Sequence, residues 1–188
     1  GQRQRVGSAR ALATDPDVLL CDEPTSALDP KTTGEILDLI GTLKARLGLA
    51  VLIITHEMTV VKRICDSVSL LQAGRVVESG SLVDVVGRFR SRLSELLLAL
   101  PPTADNTPED VPTIEVLDTG STGDAPALAL AARELGTDLP VLAGTAETLA
   151  GVPFQRHPVL VPAPPPPDQA VAALRGHGAQ AAVTGLAA

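Results

Sequence analysis

The chain is poor in aromatic side chains and in cysteine. Its 188 residues contain two phenylalanines, no tryptophan and no tyrosine, while 45% of them are hydrophobic. Hydrophobic cores must therefore be built mainly from Ala, Leu and Val. The two cysteines, Cys21 and Cys65, lie far apart without metal-ligand spacing, so we expect reduced thiols rather than a disulfide framework. No apolar run reaches the roughly 20 residues that a membrane-spanning helix needs.

Positive charge is scarce in the second half of the chain. Residues 1–90 carry 11 basic and 11 acidic groups, whereas residues 91–188 carry 4 basic and 11 acidic groups, which accounts for the whole net charge of −7. An acidic half with one aromatic residue, Phe154, lacks the phosphate-neutralising charge and the stacking surface of a nucleic-acid binder, so we expect no nucleic-acid partner. Thirteen of the 16 prolines also lie beyond residue 100, and both shifts predict a domain boundary near that point.

The segment Val18–Pro30 joins four apolar or weakly polar residues to a pair of carboxylates. The apolar run predicts a central strand of a parallel sheet, buried on both faces, and Pro24 prevents further pairing. Open α/β sheets place ligands at the carboxyl ends of strands, so Asp22 and Glu23 are expected at a site. One carboxylate of such a pair can hold Mg²⁺, and the other can orient or deprotonate a water. Alone, the pair fits a strand ending in solvated acids equally well.

Three further segments flank this strand in a specific order. Gly1-Gln2 precedes a helix predicted from Arg3 to Thr14, Ser26-Ala27-Leu28-Asp29 follows the strand, and a second apolar strand is followed by His56. This order and spacing resemble the ATP-binding-cassette ATPases, in which the counterparts are the end of the signature motif, the D-loop and the switch histidine. The resemblance implies an α/β fold, with the C-terminal part of a P-loop ATPase domain over residues 1–90.

The resemblance also implies a role for each of these residues. Glu23 would be the catalytic base, Asp22 would hold Mg²⁺, and His56 would contact the γ-phosphate of ATP. Gly1-Gln2 would meet ATP held by a second copy in a head-to-tail dimer, and Asp29 would couple the two sites across that dimer.

The chain lacks the Gly-x-x-x-x-Gly-Lys-Ser/Thr loop, whose backbone N–H groups cradle phosphates in such ATPases. It opens on Gly1, and its only methionine is Met58. We therefore expect it to be the C-terminal fragment of a longer protein. We also expect it to be inactive alone, because it keeps the water-activating half of the site without the phosphate-binding half.

The remaining segments predict a second domain. Residues 91–112 are expected to form a short amphipathic helix and a proline-bearing linker. Residues 113–188 predict the order β-α-β-β-α-β of a small α+β, ferredoxin-like domain. Its second and third strands are expected at 139–142 and 158–161, with a turn region at 145–155 between them.

Several stretches narrow the resemblance to the methionine importers of the family. Thr55–Met58 and Val76–Gly80 match that branch, and Asp124-Ala125-Pro126 with the alanine-rich helix after it resembles a regulatory domain named after an Asn-Ile-Leu motif. The matching place here reads Pro140-Val141-Leu142, and the run Pro162–Pro167 also departs from the pattern. The resemblance implies a peripheral subunit at the cytoplasmic face of the membrane, working with membrane permease subunits. It also implies methionine binding at the terminal domain, in an apolar cleft between two copies.

The same residues permit three other interpretations. The ATPase could serve the import of another polar amino acid or of a peptide. It could instead be a soluble ATPase acting on DNA, although long heptad arms and a basic groove are both missing. Finally, the lack of a phosphate loop permits a non-catalytic, amino-acid-binding regulatory module.

Overall fold

The computed structural model describes residues 2–26, 28–102, 111–120 and 126–186. The chain forms two compact units, Gly1–Cys65 and Asp66–Ala188. Among the described residues, no helix is both long enough and apolar enough to cross a membrane.

The first unit alternates helices with two parallel strands. Its elements are α1 (Gln2–Leu12), β1 (Val18–Asp22), α2 (Pro30–Leu47), β2 (Ala50–Ile54) and α3 (Met58–Ile64). Strands β1 and β2 are parallel, and helix α2 forms the crossover connection that such a pair requires. Asp29 caps the start of α2, and Gly48 ends that helix with a φ of 67°, in the left-handed region that glycine adopts readily. Helix α1 and strands β1 and β2 agree with the helix and the two apolar strands predicted from the sequence.

The burial of β1 differs from the prediction. Leu19 is 4% exposed, but its neighbours Val18 and Leu20 are 51% and 71% exposed. Successive side chains of a strand point to opposite faces, so only one face of β1 is covered by the described residues. The expectation of a strand buried on both faces is therefore wrong within the described residues, because none of them covers the face that carries Val18 and Leu20.

The second unit begins with a hairpin and two short helices. These are β3 (Ser67–Gln72), β4 (Arg75–Ser81), α4 (Leu82–Val86) and α5 (Arg92–Leu97). The hairpin turns at Ala73 and Gly74, which both have positive φ, as a tight hairpin turn requires. Ser81 caps α4 by accepting the backbone N–H of Asp84.

A four-stranded antiparallel sheet with two helices completes the second unit. Its elements are β5 (Pro112–Asp118), α6 (Ala127–Leu135), β6 (Thr145–Leu149), β7 (Val152–Leu160), α7 (Pro167–Gly176) and β8 (Gln180–Leu186). The strands lie in the order β6-β7-β5-β8. Helices α6 and α7 cover one face, and the buried core there is small and aliphatic: Ile114, Val116, Ala127, Ala131, Leu139, Val159, Val161, Ala170, Ala173, Leu174, Ala179 and Ala181.

The second strand of this sheet lies elsewhere than predicted, and the third begins earlier than predicted. The segment 139–142 contributes only an isolated bridge, between Val141 and Val159. The predicted turn region instead contains β6 and the first four residues of β7, whose last three residues lie within the predicted third strand. Prolines concealed β7 in the sequence, since a residue without an N–H is unusual in an inner strand. The backbone N–H and C=O of a strand residue point towards the same neighbouring strand. A proline is tolerated at position 158 because the neighbour on that side is the segment 139–142, which bonds to Pro158 through the proline carbonyl and the Leu142 N–H, at 3.0 Å.

The segment predicted as helix and linker packs on the sheet. Leu93 and Leu97 of α5 are 1% and 0% exposed. The Arg156 Nη1 donates to the Leu98 carbonyl at 3.2 Å, which joins the end of α5 to β7. The compact unit that contains this sheet begins at Asp66. Residues 103–110, the middle of the predicted linker, lie outside the described residues.

Candidate functional site

The carboxyl ends of β1 and β2 lie side by side because the two strands are parallel and in register. Asp22 is the partner of Ile54, and the backbone N–H of Glu23 donates to the Ile54 carbonyl at 2.9 Å. The loops that follow the two strands therefore start from neighbouring points. This placement brings together Glu23 and His56, which are far apart in the sequence.

Glu23 and His56 are in direct contact through their side chains. His56 Nδ1 lies 2.7 Å from Glu23 Oε1. The other oxygen, Glu23 Oε2, is buried and has no hydrogen-bond partner within the part of the chain that the structure describes. A carboxylate with one oxygen held by an imidazole and the other able to accept is suited to act as a general base. Both side chains were predicted from the sequence as site residues.

The backbone at Glu23 adopts an uncommon conformation. Its φ is 45°, in the left-handed region that residues other than glycine seldom adopt. The bond to Ile54 and the contact with His56 hold the residue in this conformation. Conformations of this kind concentrate at functional sites, where surrounding contacts stabilise them.

A second contact joins the same two loops, and sequence reasoning missed it. Thr25 is 2% exposed, and its hydroxyl donates to Glu57 Oε1 at 2.9 Å. The Glu57 N–H in turn donates to Thr55 Oγ1 at 3.0 Å. The only signal in the sequence is a hydroxyl residue two positions after Glu23 and an acid directly after His56. Thr25 and Glu57 therefore fix the spacing between the loops that carry the pair.

The remaining predicted site residues have different surroundings. Asp22 is exposed at the end of β1, and the described residues contain no group of three or more His, Cys, Asp or Glu that could hold a metal. Asp29 is engaged as the cap of α2, with Oδ1 accepting the N–H of Thr32 at 3.0 Å. Hydrogen bonds from Thr32 lower the pKa of Asp29. Gln2 is the first residue of α1, whereas Gly1 and Ala27 lie outside the described residues.

The contact with Glu23 predicts an altered titration of His56. The hydrogen bond to Glu23, followed by the negative charge of that residue, raises the pKa of His56 above 6.5. In an NMR titration of the 188-residue chain, Glu23→Gln should lower this pKa towards the ordinary value. Asp38→Asn, which removes an exposed carboxylate from α2, should leave it unchanged. Equal His56 pKa values in wild type and Glu23→Gln would contradict the observed contact.

The second compact unit contains a separate candidate binding site. A cavity of about 570 Å³ lies between α6, the segment 138–146 and β7. Its lining is mainly apolar, with Asp138 and His157 as its ionisable residues. His157 is 8% exposed, and its Nε2 is buried without a hydrogen-bond partner among the described residues. This cavity was not predicted from the sequence.

Comparison with known proteins identifies the family. The chain is 44% identical over 162 residues to the methionine import ATP-binding protein MetN of Streptomyces avermitilis, an alignment that covers 86% of this chain and 46% of the relative. The chain belongs to the ATP-binding-cassette ATPase family. Proteins of the same name from Haemophilus ducreyi and Symbiobacterium thermophilum are 42% and 43% identical over 82% and 83% of the chain. Those alignments cover 48% and 47% of the relatives, so the chain spans about half their length.

Similarity to solved ATP-binding cassettes is limited to part of the chain. A dimeric ATP-binding cassette bound to ADP and Pi has 38% identity and a TM-score of 0.39, covering 43% of this chain and 34% of that chain. A component of the cbiONQ ABC transporter complex of Clostridium perfringens has 34% identity and a TM-score of 0.41, covering 47% and 39%. No protein-family model matches this ATP-binding-cassette ATPase chain.

Proposed function

We propose that the chain supplies part of the ATP-hydrolysing subunit of a methionine importer. The observation that carries the proposal is the 2.7 Å contact between His56 and Glu23, with Glu23 Oε2 free to accept a proton. The relatives named methionine import ATP-binding proteins support methionine as the transported molecule. Because the chain spans about half their length, hydrolysis is proposed for the full-length protein, and we expect none from this chain alone.

The two paired residues have complementary roles in the proposed reaction. Glu23 accepts the proton of the attacking water at its carboxylate, while His56 holds Oε1 and so fixes the position of that group. The His56 side chain is 80% exposed, so its ring can also meet the γ-phosphate. Phosphoryl transfer depends mostly on positioning and on charge stabilisation, which these contacts supply. The bond between Thr25 and Glu57 positions the two loops and touches neither water nor phosphate in this account.

ATP and Mg²⁺ are the cofactors of the proposed reaction. Asp22 would give one carboxylate oxygen to Mg²⁺, which neutralises phosphate charge when bound. No group of three metal-ligating side chains exists among the described residues, so its other ligands come from ATP, from water or from other parts of the protein. Gly1-Gln2, at the N-terminus of α1, would meet ATP held by a second copy, since helix N-termini favour phosphate. Asp29 would couple the two sites through its place at the start of α2.

The terminal part of the chain is proposed to be a ferredoxin-like regulatory domain over residues 113–188. The order β-α-β-β-α-β and the sheet order β6-β7-β5-β8 support this assignment. Its ligand would be internal methionine, because a flexible thioether fills an irregular apolar cavity well. Binding would slow ATP turnover when the amino acid is plentiful.

The proposed assembly contains two copies of the subunit and the membrane permease subunits. The two copies lie head to tail around two ATP molecules, at the cytoplasmic face of the membrane. A different polar amino acid or a peptide as cargo, and a non-catalytic amino-acid-binding module, are the alternatives. Nucleic acid is not among the proposed partners, given the acidic second half of the chain.

A measurement of methionine binding and of its effect on ATP turnover distinguishes a methionine importer from these alternatives. Calorimetry with L-methionine and the 188-residue chain should give saturable heat, with a Kd in roughly the micromolar range that corresponds to about −8 kcal/mol. Methionine should also slow ATP turnover of the full-length protein with its permease subunits, while alanine serves as the matched control. No heat together with unchanged turnover would leave the terminal domain as a structural element only.

A further inference from the structure

The loop after β1 contains one side chain that is almost fully buried. Thr25 is 2% exposed, whereas Asp22 is exposed and Glu23 is half-buried. The Thr25 hydroxyl donates to Glu57 Oε1 at 2.9 Å, although the two residues are 32 positions apart. A hydrogen bond that is shielded from water meets little competition from solvent, and a carboxylate acceptor strengthens it. The bond is therefore a firm link between the loops that follow β1 and β2.

Glu57 is a fixed partner because helix α3 anchors it. It directly precedes the first residue of α3, and its backbone carbonyl accepts the N–H of Val60 at 3.1 Å. Val60 and Val61 are 0% and 6% exposed, so this part of the helix is held in the core. A side chain at this position often accepts a hydrogen bond from the backbone of its own helix, but Glu57 makes no such bond. Its carboxylate instead accepts from Thr25.

Thr25 is connected to Glu23 by a short and stiff segment. Only Pro24 lies between them, and the proline ring fixes its own φ. The Ser26 N–H donates to the Glu23 carbonyl at 3.1 Å, which closes a turn over these four residues. Glu23 has a φ of 45°, and a residue with a side chain keeps such a conformation only when its surroundings hold it. A displacement of Thr25 would therefore be transmitted to the backbone of Glu23.

We propose that Thr25 is a positioning residue for ATP hydrolysis, whose hydrogen bond to Glu57 holds Glu23 in the backbone conformation that brings its carboxylate to His56. The inference rests on the proposed function, which names Glu23 as the base, and adds the pair of residues that determines where this base lies. When the bond is removed, the loop relaxes and the carboxylate leaves the place where it accepts a proton. General-base catalysis requires hydrogen-bond reach, so a displacement of about 1 Å lowers the rate strongly.

Turnover of ATP by the full-length protein with its permease subunits measures this effect. Thr25→Val keeps nearly the same shape without the hydroxyl. It should lower kcat about ten- to hundredfold and change KM for ATP less than about threefold, because the base is displaced while the nucleotide contacts remain. Thr25→Ser keeps a hydroxyl and should stay within about threefold of wild type. Thr42→Val, which removes a hydroxyl that bonds the Asp38 carbonyl within α2, is the matched control and should leave kcat unchanged.

Two further measurements show whether the Thr25 hydroxyl acts through Glu23. In an NMR titration of the 188-residue chain, Thr25→Val should lower the pKa of His56 towards its ordinary value, because the Glu23 carboxylate that raises this pKa moves away. Thr25→Ser should retain the raised pKa. In the full-length protein, the double variant Thr25→Val/Glu57→Leu should be about as slow as Thr25→Val, since both substitutions remove the same bond.

The outcomes distinguish this inference from the proposed function. Wild-type kcat in Thr25→Val, together with blocked turnover in Glu23→Gln, would overturn the inference and leave Glu23 as the base. Equal losses in Thr25→Ser and Thr25→Val, an unchanged His56 pKa in Thr25→Val, or multiplied losses in the double variant would also overturn it. Wild-type turnover in Glu23→Gln would overturn the proposed function as well. If circular dichroism shows Thr25→Val unfolded, Glu57→Leu tests the same bond from its other end, and wild-type kcat in that variant would overturn the inference.

Discussion

Replacing Glu23 with glutamine in the full-length protein is expected to lower ATP turnover by a factor of about 10² to 10⁴. The amide cannot take a proton from water, so general-base catalysis is lost. Glutamine has nearly the same size and can still bond His56, so the loops after β1 and β2 should keep their positions. ATP binding should therefore persist while hydrolysis stops.

The companion substitution His56→Ala should also reduce turnover strongly, because it removes both the group that fixes Glu23 Oε1 and the proposed γ-phosphate contact. Asp38→Asn is a suitable control for the loss of one carboxylate, since Asp38 lies on α2 and pairs at the surface with Arg63. Steady-state rates of all three variants, measured with permease subunits present, test the assignment. Near wild-type rates in Glu23→Gln and His56→Ala would show that the site lies elsewhere.

Breaking the ion pair between Arg156 and Glu115 should cost about 3–5 kcal/mol of unfolding free energy in the second unit. Arg156 Nε and Nη2 lie 2.6 Å and 2.5 Å from Glu115 Oε1, and the two side chains are 12% and 10% exposed. Arg156→Ala would leave the buried Glu115 carboxylate with the longer contact to Arg90 Nε, at 3.7 Å, and would remove the bond to the Leu98 carbonyl. The loss of one charge from a buried pair is destabilising because the other keeps its desolvation cost.

Urea unfolding of the 188-residue chain, followed by circular dichroism, measures this effect. Arg63→Ala is the matched control, because its pair with Asp38 has side chains 50% and 70% exposed and should contribute less than about 1 kcal/mol. Replacing both Arg156 and Glu115 with apolar residues should recover much of the stability, since neither charge of this pair is then left buried. A change below about 1 kcal/mol in Arg156→Ala would show that the pair is not buried in solution.

The contact between Glu23 and His56 was predictable because both residues follow strands that are clear in the sequence. Apolar runs end at Asp22 and just before His56, and parallel strands bring their carboxyl ends to one edge. The bond between Thr25 and Glu57 was not predictable, since a threonine in a loop carries no periodic signal. The exposed Leu20 was also unexpected, because an apolar run does not reveal which parts of a protein cover each face of a sheet.

The cavity in the second unit was not predictable, because the composition of strand β7 does not indicate a strand. Strand β7 contains Pro153 and Pro158 together with several polar residues, so neither alternation nor a continuous apolar run marks it. Unless β7 is recognised as a strand, His157 cannot be assigned to a face of the sheet. Its burial depends on long-range pairing of β7 with β5, and residues distant in the chain supply that contact. The order of elements was nevertheless predictable from the helices α6 and α7 and from the first and last strands, β5 and β8.

Trapping of an ATP-bound dimer tests the central claim most directly. The full-length protein carrying Glu23→Gln should elute in size-exclusion chromatography as a dimer when ATP and Mg²⁺ are present and as a monomer without nucleotide. Blocked hydrolysis preserves the ATP that joins the two copies in the proposed head-to-tail arrangement. The Asp38→Asn control, which still hydrolyses ATP, should not accumulate the dimer. A monomeric Glu23→Gln protein that binds ATP, or one that still hydrolyses it, would contradict the assignment of Glu23 as the base.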